Sequence, residues 1–201
     1  MAPLLWKSPS HQYQTKVEVF NENAAMNTEE VVTIVDEENN VVGSALRSQM
    51  RSGGLPHRAT YVLVFNSKGH LFVQKRTRTK DIYPGYSDVA TGGVVLSGES
   101  YETAAARELG EELGVHGAPL TAHFDFYHKD AGNRVWGRVF TCVHDGAIEL
   151  QEEEVESGAF YPIPDILEHC CRVPYTPDGL YVLRRFLSQG TPTIPAQDNI
   201  G

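Results

Sequence analysis

Three features of the chain predict an α/β fold, a mixed sheet sandwiched between helices. Short β-branched and aromatic runs come in pairs around tight polar turns, as in Ala59–Asn66 and His70–Arg76 on either side of Ser67-Lys68-Gly69. The stretch Ser100–Glu112 is rich in Ala, Glu and Leu, lacks Pro and is followed by Gly114, which reads as a helix with a glycine stop. A second helix is signalled by Thr176-Pro177, an N-cap and first-turn pair, ahead of the apolar stripe Leu180, Leu183 and Leu187 and running to about Ser188.

The remaining elements follow in chain order. From Glu30, VVTIVDEENNVVGSALR reads as two short strands joined by the polar turn Asp36–Asn40, and Arg47–Arg51 as a short helix. Pro84-Gly85 marks a loop within Asp81–Ser87. Val89–Val95 reads as a further short strand, cut by the Gly92-Gly93 pair. Thr121–His128 and Arg134–His144 are two more strands, separated by a turn at Asp130–Asn133. Gly158–Tyr161 is a short strand and Ile163–Cys171 a short helix. The compact pattern thus covers residues 30–188. Residues 1–29 form an N-terminal extension without a clear period, with Met26 as a second candidate start. Residues 189–201 form a Pro-, Gly- and polar-rich flexible tail.

Composition excludes several classes. The chain has 201 residues, enough for one domain with a sizeable core, and its 41% hydrophobic and 21% charged residues suit a globular protein. A net charge of −9 excludes nucleic-acid binding through a global basic field, while leaving room for a local basic pocket. No apolar run reaches the length of a membrane span, and the N-terminus has no secretory h-region. The three cysteines, Cys142, Cys170 and Cys171, are odd in number with two adjacent, which argues against a disulfide framework. No CxxC pair suggests zinc. Small buried thiols in a reducing, cytoplasmic compartment are expected.

The stretch Gly93–Val115, GVVLSGESYETAAARELGEELGV, carries the chemistry. At about 100° per residue, Glu108, Glu111 and Glu112 fall within an arc of about 100° on the helix. Ala106, Leu109 and Leu113 lie on a neighbouring arc that can face the core. Three crowded carboxylates repel one another, and a hard divalent cation resolves that repulsion. Mg²⁺, with Mn²⁺ as a substitute, is the ion these oxygen ligands suit; it neutralises phosphate charge and activates water. Glu108 and Glu112, four residues apart, are the first candidate ligands, and Glu111 is a third ligand or an outer partner. Arg107 is expected to hold a carboxylate with a bidentate fork. Gly93 opens a loop whose backbone can approach metal or phosphate closely. The alternative is a solvated acidic helix face. Against it stands the spacing G-x5-E-x7-R-E-U-x-E-E-x-G-U (U aliphatic), which arises by chance in such a chain with odds of about 10⁻⁷.

That pattern resembles the Nudix box, with no position departing from it. The resemblance implies an α/β/α sandwich and a Mg²⁺-dependent hydrolase that cleaves diphosphates linked to another group, usually a nucleoside. In many members a further Glu, in a loop well after the box, binds metal or acts as base. Glu154 of Glu152-Glu153-Glu154-Val155 matches that placement best. Glu111, Glu154 and Arg107 are therefore the candidate catalytic residues. The segment His57–Val95 is more specific. Its HRA, FNSKG, QKR and K-x3-PG elements resemble isopentenyl-diphosphate isomerases and the bacterial Nudix hydrolases related to them. The isomerases need a catalytic Cys and then a metal-binding His, where this chain carries Thr91 and Gly93. A threonine hydroxyl does not replace a thiol as the acid that protonates an alkene, so the hydrolase relative is the expected match.

The substrate side is less sharply marked. Lys75, Arg76, Arg78 and Lys80 cluster before the Pro84-Gly85 loop and suit phosphate binding, with a solvated hairpin end as the alternative. Arg134, Trp136 and Arg138 alternate on one strand face. There Trp136 and Arg138 can stack a base and hold phosphate, or serve as sheet surface or dimer contact. His57 and His128 read as structural. The expected partner is a small-molecule diphosphate, with no membrane or nucleic acid. A homodimer is compatible with the chain, and a non-catalytic nucleotide sensor is the alternative function.

Overall fold

The structure, a computed structural model, describes residues 29–130 and 132–190, so nearly all of the expected extension and tail lies outside the described residues. Strands β1 (Val31–Val35) and β2 (Val41–Leu46) pair antiparallel. Their turn is held by Asp36, whose carboxylate accepts from the Glu38 and Asn40 amides at 3.0 and 2.8 Å. A short helix α1 (Arg47–Gly53) leads into β3 (His57–Phe65), β4 (Leu71–Arg76) and the two-residue β5 (Ser87–Asp88). Helix α2 (Tyr101–Leu113) follows, then β6 (Thr121–Lys129), β7 (Arg134–Val143) and β8 (Val155–Tyr161). Helices α3 (Ile163–His169) and α4 (Pro177–Ser188) close the described chain.

The sheet is mixed, as expected. β3 runs parallel to β7 along its whole length, from His57 opposite Val135 to Phe65 opposite Val143. β6 pairs antiparallel with β7, and β4 pairs antiparallel with both β8 and β5. The two-residue period of β3 sorts its side chains between two cores. Ala59, Tyr61, Leu63 and Phe65 pack with Ile166, Val182, Leu183 and Phe186 on the α3/α4 side. Val62 and Val64 pack with Ala104, Leu109 and Leu113 of α2 on the other. Burying Leu109 and Leu113 fully contributes about 1.5–3 kcal/mol each. The result is the expected α/β/α sandwich. Among the described residues, no helix is long and apolar enough to cross a membrane.

Three local expectations are corrected. Val89–Val95 is not a strand: it follows β3 through isolated bridges at Thr91 to Val62 and Val94 to Ala59. Gly92 steps out of the ladder with φ 150°, and a Cβ there would lie 2.2 Å from the Thr60 carbonyl oxygen. The buried face of α2 is Tyr101, Ala104, Ala105, Glu108, Leu109, Glu112 and Leu113, while Ala106 is exposed. The core-facing stripe therefore includes two glutamates. In α4 the fully buried apolar residues are Val182, Leu183 and Phe186, with Leu180 and Leu187 half-buried beside them.

Candidate active site

Helix α2 positions the acidic cluster. Its N-cap Ser100 accepts from the Thr103 amide at 3.1 Å, and Gly114 ends it in the left-handed conformation. Arg107 is the hub. Its Nε and Nη2 donate to the two oxygens of Glu99 at 2.9 and 3.1 Å, the bidentate fork read from the sequence. Its Nη1 donates to Glu108 Oε1 at 2.9 Å and Glu111 Oε2 at 3.0 Å, and Nη2 also reaches the Val94 carbonyl. One guanidinium thus ties the loop before α2 to two of its carboxylates. Arg107→Lys keeps the charge but not the fork. It is expected to lower divalent-ion affinity about 10–100-fold, as loss of an orienting partner does. A Mn²⁺ titration checks this, and unchanged affinity would remove the orienting role.

Glu108 and Glu112 are only 9% and 2% exposed. Burial, and then the neighbouring Glu112, push the Glu108 carboxyl up to about 7, against the pull of Arg107. The Glu108 carboxylate rests against the Gly93 backbone, where a Cβ would sit 2.4 Å from Oε1. Glu112 accepts from Gln74 Nε2 at 3.2 Å and from Lys80 Nζ at 3.2 Å. Lys80 also pairs with Glu154, and burial holds its ammonium below the usual lysine range. Among the described residues, no three Asp, Glu, His or Cys side chains converge as a closed metal site. Instead, Lys80 stands between Glu112 and Glu154 while Arg107 holds Glu108 and Glu111. The residues nonetheless fit a hard divalent ion. The donors are hard oxygens, carboxylates with the Gly93 backbone carbonyl beside them, and two of the carboxylates are buried and mutually repelling.

Part of this cluster borders a cavity of about 190 Å³, although Arg107 and Glu112 are not among its lining residues. Glu108, Glu111, Glu154, Gly93, Arg76 and Lys80 all line it, so the structure brings together most of the residues expected from the sequence. Arg76 donates to the Ile82 carbonyl and lies 3.6 Å from Asp88. Burial pushes Asp88 well above the usual carboxylate range, opposed by Arg76 and reinforced by Asp178. Tyr61 donates to Asp178 Oδ2 at 2.8 Å.

His57 lines the same cavity. Its Nδ1 lies 3.0 Å from the Leu55 carbonyl, which only accepts, so Nδ1 carries the proton. Burial depresses its pKa to about 4. Below pH 6.5 the unfolded chain takes up a proton that the folded state refuses until about pH 4. The stability this residue confers is thus complete above pH 6.5 and lost as pH falls towards 4, on the order of 3 kcal/mol. Denaturant midpoints across that window are expected to fall for the wild type and to fall less for His57→Asn. Parallel slopes would contradict it.

Three expected substrate contacts do not reach the cavity. Arg78 is exposed and does not line it. Arg138 is held by Asp125 at 2.7 and 2.9 Å and by Glu102 at 3.2 Å, with its guanidinium over the Tyr101 ring. Trp136 sits beside Tyr127 on the same strand face. The alternation of β7 turns Val135 to the cavity and Trp136 and Arg138 away from it. Conversely, Gln74, Arg47, Arg51, Tyr61, Asp88 and Asp178 enter the site without any motif to announce them.

The NUDIX domain family profile matches residues 55–179. The chain is 45% identical to the uncharacterized Nudix hydrolase PA4841 of Pseudomonas aeruginosa over 158 residues, 79% of this chain and 94% of that protein. It is 43% identical to the uncharacterized Nudix hydrolase YfcD of Escherichia coli K12 over 160 residues, 80% of this chain and 88% of that protein. The crystal structure of DR0079 from Deinococcus radiodurans aligns with a TM-score of 0.69 at 26% identity, covering 78% of this chain and 98% of that one. A family profile over most of the chain, relatives matched along nearly their whole length and a box from which Gly93, Glu108 and Glu111 line one cavity lead to one conclusion: the chain belongs to the Nudix family of hydrolases, which act on diphosphate bonds.

Proposed function

We propose that this enzyme is a Mg²⁺-dependent diphosphatase that cleaves the diphosphate linkage of a nucleotide or a related small molecule. The observation that carries this reading is the pair Glu108 and Glu112. Both are buried and repel each other; Glu108 lines a cavity that also presents Arg76 and Lys80, and Lys80 reaches back to Glu112 at 3.2 Å. With Gly93 and Glu111 they are the ligand set for the ion; when bound, it supplies phosphate charge neutralisation and a more acidic water. Arg76 and Lys80 draw the diphosphate to the cavity, and Arg107 keeps Glu108 and Glu111 in place. Glu154, beside Lys80, takes the proton of the attacking water.

The isomerase reading finds no support in the geometry. Thr91 is buried, with its hydroxyl donating to Gln74 Oε1 at 3.4 Å, and Gly93 has no side chain to bind metal. The three free thiols are consistent with a reducing, cytoplasmic compartment.

The test is phosphate release over a panel of diphosphates with Mg²⁺ or Mn²⁺, beside Glu112→Gln. Hydrolysis of one substrate group, lost in the variant, supports the reading and names the substrate. Metal-dependent nucleotide binding without hydrolysis by the wild type would replace it with a sensor.

A further inference from the structure

Helix α1 places Arg47 and Arg51 four residues apart, on one face, and both line the cavity. Their surroundings differ. Arg47 donates to Glu30 at 2.6 Å and lies 3.5 Å from Asp81. Arg51, among the described residues, has no ion pair. Its one side-chain hydrogen bond runs from Nη1 to Asn133 Oδ1 at 3.3 Å, and its Nε is buried without an acceptor. Burial, and then the Arg47 cation, hold its guanidinium below the usual arginine range.

A guanidinium stays charged in a protein, so it cannot relieve this situation by losing its proton. Burying a charge without an ion pair destabilises a fold, and two like charges at this helical spacing add repulsion; the more distant Asp81 offsets this only in part. Nothing in the packing of α1 requires it, because its buried anchor is Met50. A second groove, lined by Glu29, Ser48, Asp81, Ile82 and Gly132, shares Arg47 and Arg51 with the cavity. Arg51 therefore stands where the inner cavity meets an outer approach.

We propose that Arg51, supported by Arg47 and Asn133, is an anion-binding subsite separate from the metal carboxylates, and that it takes a phosphoryl group of the substrate. The inference rests on the diphosphatase reading and specifies how that site grips its ligand. Asn133 presents Oδ1 to Arg51 Nη1, which fixes the fork and leaves its remaining donors for phosphoryl oxygens. Unlike Arg76 and Lys80, whose charges already face Asp88, Glu112 and Glu154, Arg51 gives up no ion pair to any described residue to bind.

The test uses inorganic phosphate as probe, with the full chain in EDTA so that no divalent ion contributes, and reads the melting temperature. For the wild type, phosphate is expected to raise the melting temperature. Arg51→Met is expected to melt at or above the wild type without phosphate, because an uncompensated charge is gone. Its phosphate affinity is expected to fall at least about 10-fold, the loss of one charge-assisted contact. Arg51→Lys, which keeps a cation but not the fork, should retain weakened binding. Glu112→Gln, which removes a carboxylate from beside Lys80, should bind phosphate at least as tightly as the wild type, which separates this subsite from the metal carboxylates. An undiminished response in Arg51→Met would overturn the proposal and move the anion to Arg76 or Lys80. Arg51→Met that melts below the wild type or fails to fold, or a wild type indifferent to phosphate, would also overturn it. Because the readout needs no turnover, failure to hydrolyse any diphosphate would leave this result standing and count against the diphosphatase reading alone.

Discussion

Glu112→Gln will lower turnover on the order of 10²–10³-fold, the scale seen when one preorganised electrostatic contact is removed from an active site. The side chain is 2% exposed and lies at the base of the carboxylate cluster, one oxygen towards Lys80 and the other towards Gln74. Both neighbours are donors. An amide in place of the carboxylate satisfies one and points its own NH₂ at the other, a loss of about 1–3 kcal/mol for an unmatched buried group. Against that, the substitution removes a negative charge that repels Glu108. The two effects oppose each other, so the melting temperature is expected to stay within a few degrees of the wild type. The proposed ion site, by contrast, would lose a hard ligand that an amide oxygen replaces poorly. Initial rates with a diphosphate substrate at rising Mg²⁺ check the outcome. Rates that stay low at high Mg²⁺ fit loss of a ligand that also orients the reaction, whereas near-full turnover would take Glu112 out of the metal set.

What the sequence revealed of this site, and what it hid, follows from which interactions are local. Arg107, Glu108, Glu111 and Glu112 sit on one helix, so helical spacing placed them together and a bidentate fork from Arg107 to a carboxylate was foreseeable; its partner Glu99, in the loop before the helix, was not. Gln74 meets Glu112 across 38 residues and Tyr61 meets Asp178 across 117; no short-range pattern marks such pairs. Arg51 was equally invisible, since what sets it apart is the lack of a carboxylate partner among the described residues in three dimensions. Trp136 and Arg138 show the limit of strand alternation. The period of two correctly put them on one face of β7 and could not say which face borders the cavity, because helices cover both sides of this sheet. Ala106 is the helical counterpart. The 100° rule fixes angles between residues, and only packing against β3 sets the absolute phase of α2. The Val89–Val95 run had a strand's composition, but its ladder is broken by how near the Gly92-Gly93 backbone comes to Thr60 and Glu108.

That closeness makes Gly93→Ala the sharpest separation of activity from stability in the chain. A Cβ at residue 93 would lie 2.4 Å from Glu108 Oε1, 2.6 Å from Cδ and 2.7 Å from Oε2. Every obstructing atom is the far end of a flexible side chain, and the backbone there is not in the left-handed region, so the main chain need not move. Stability is expected to change by no more than about 1 kcal/mol, since alanine also restricts the unfolded chain. The Glu108 carboxylate, however, must swing out of its place and away from Arg107 Nη1, which it now meets at 2.9 Å. Misplacing a reacting group by about 1 Å costs roughly 100-fold in rate, so activity should fall at least that far. The neighbouring residue supplies the contrast. At Gly92 a Cβ would meet the Thr60 backbone oxygen at 2.2 Å with φ at 150°, so Gly92→Ala strains the chain itself and should lower the melting temperature markedly. Full activity in Gly93→Ala would show that Glu108 is not used where it stands. A collapse of its melting temperature to that of Gly92→Ala would show that the loop backbone, and not the carboxylate, is what glycine makes room for.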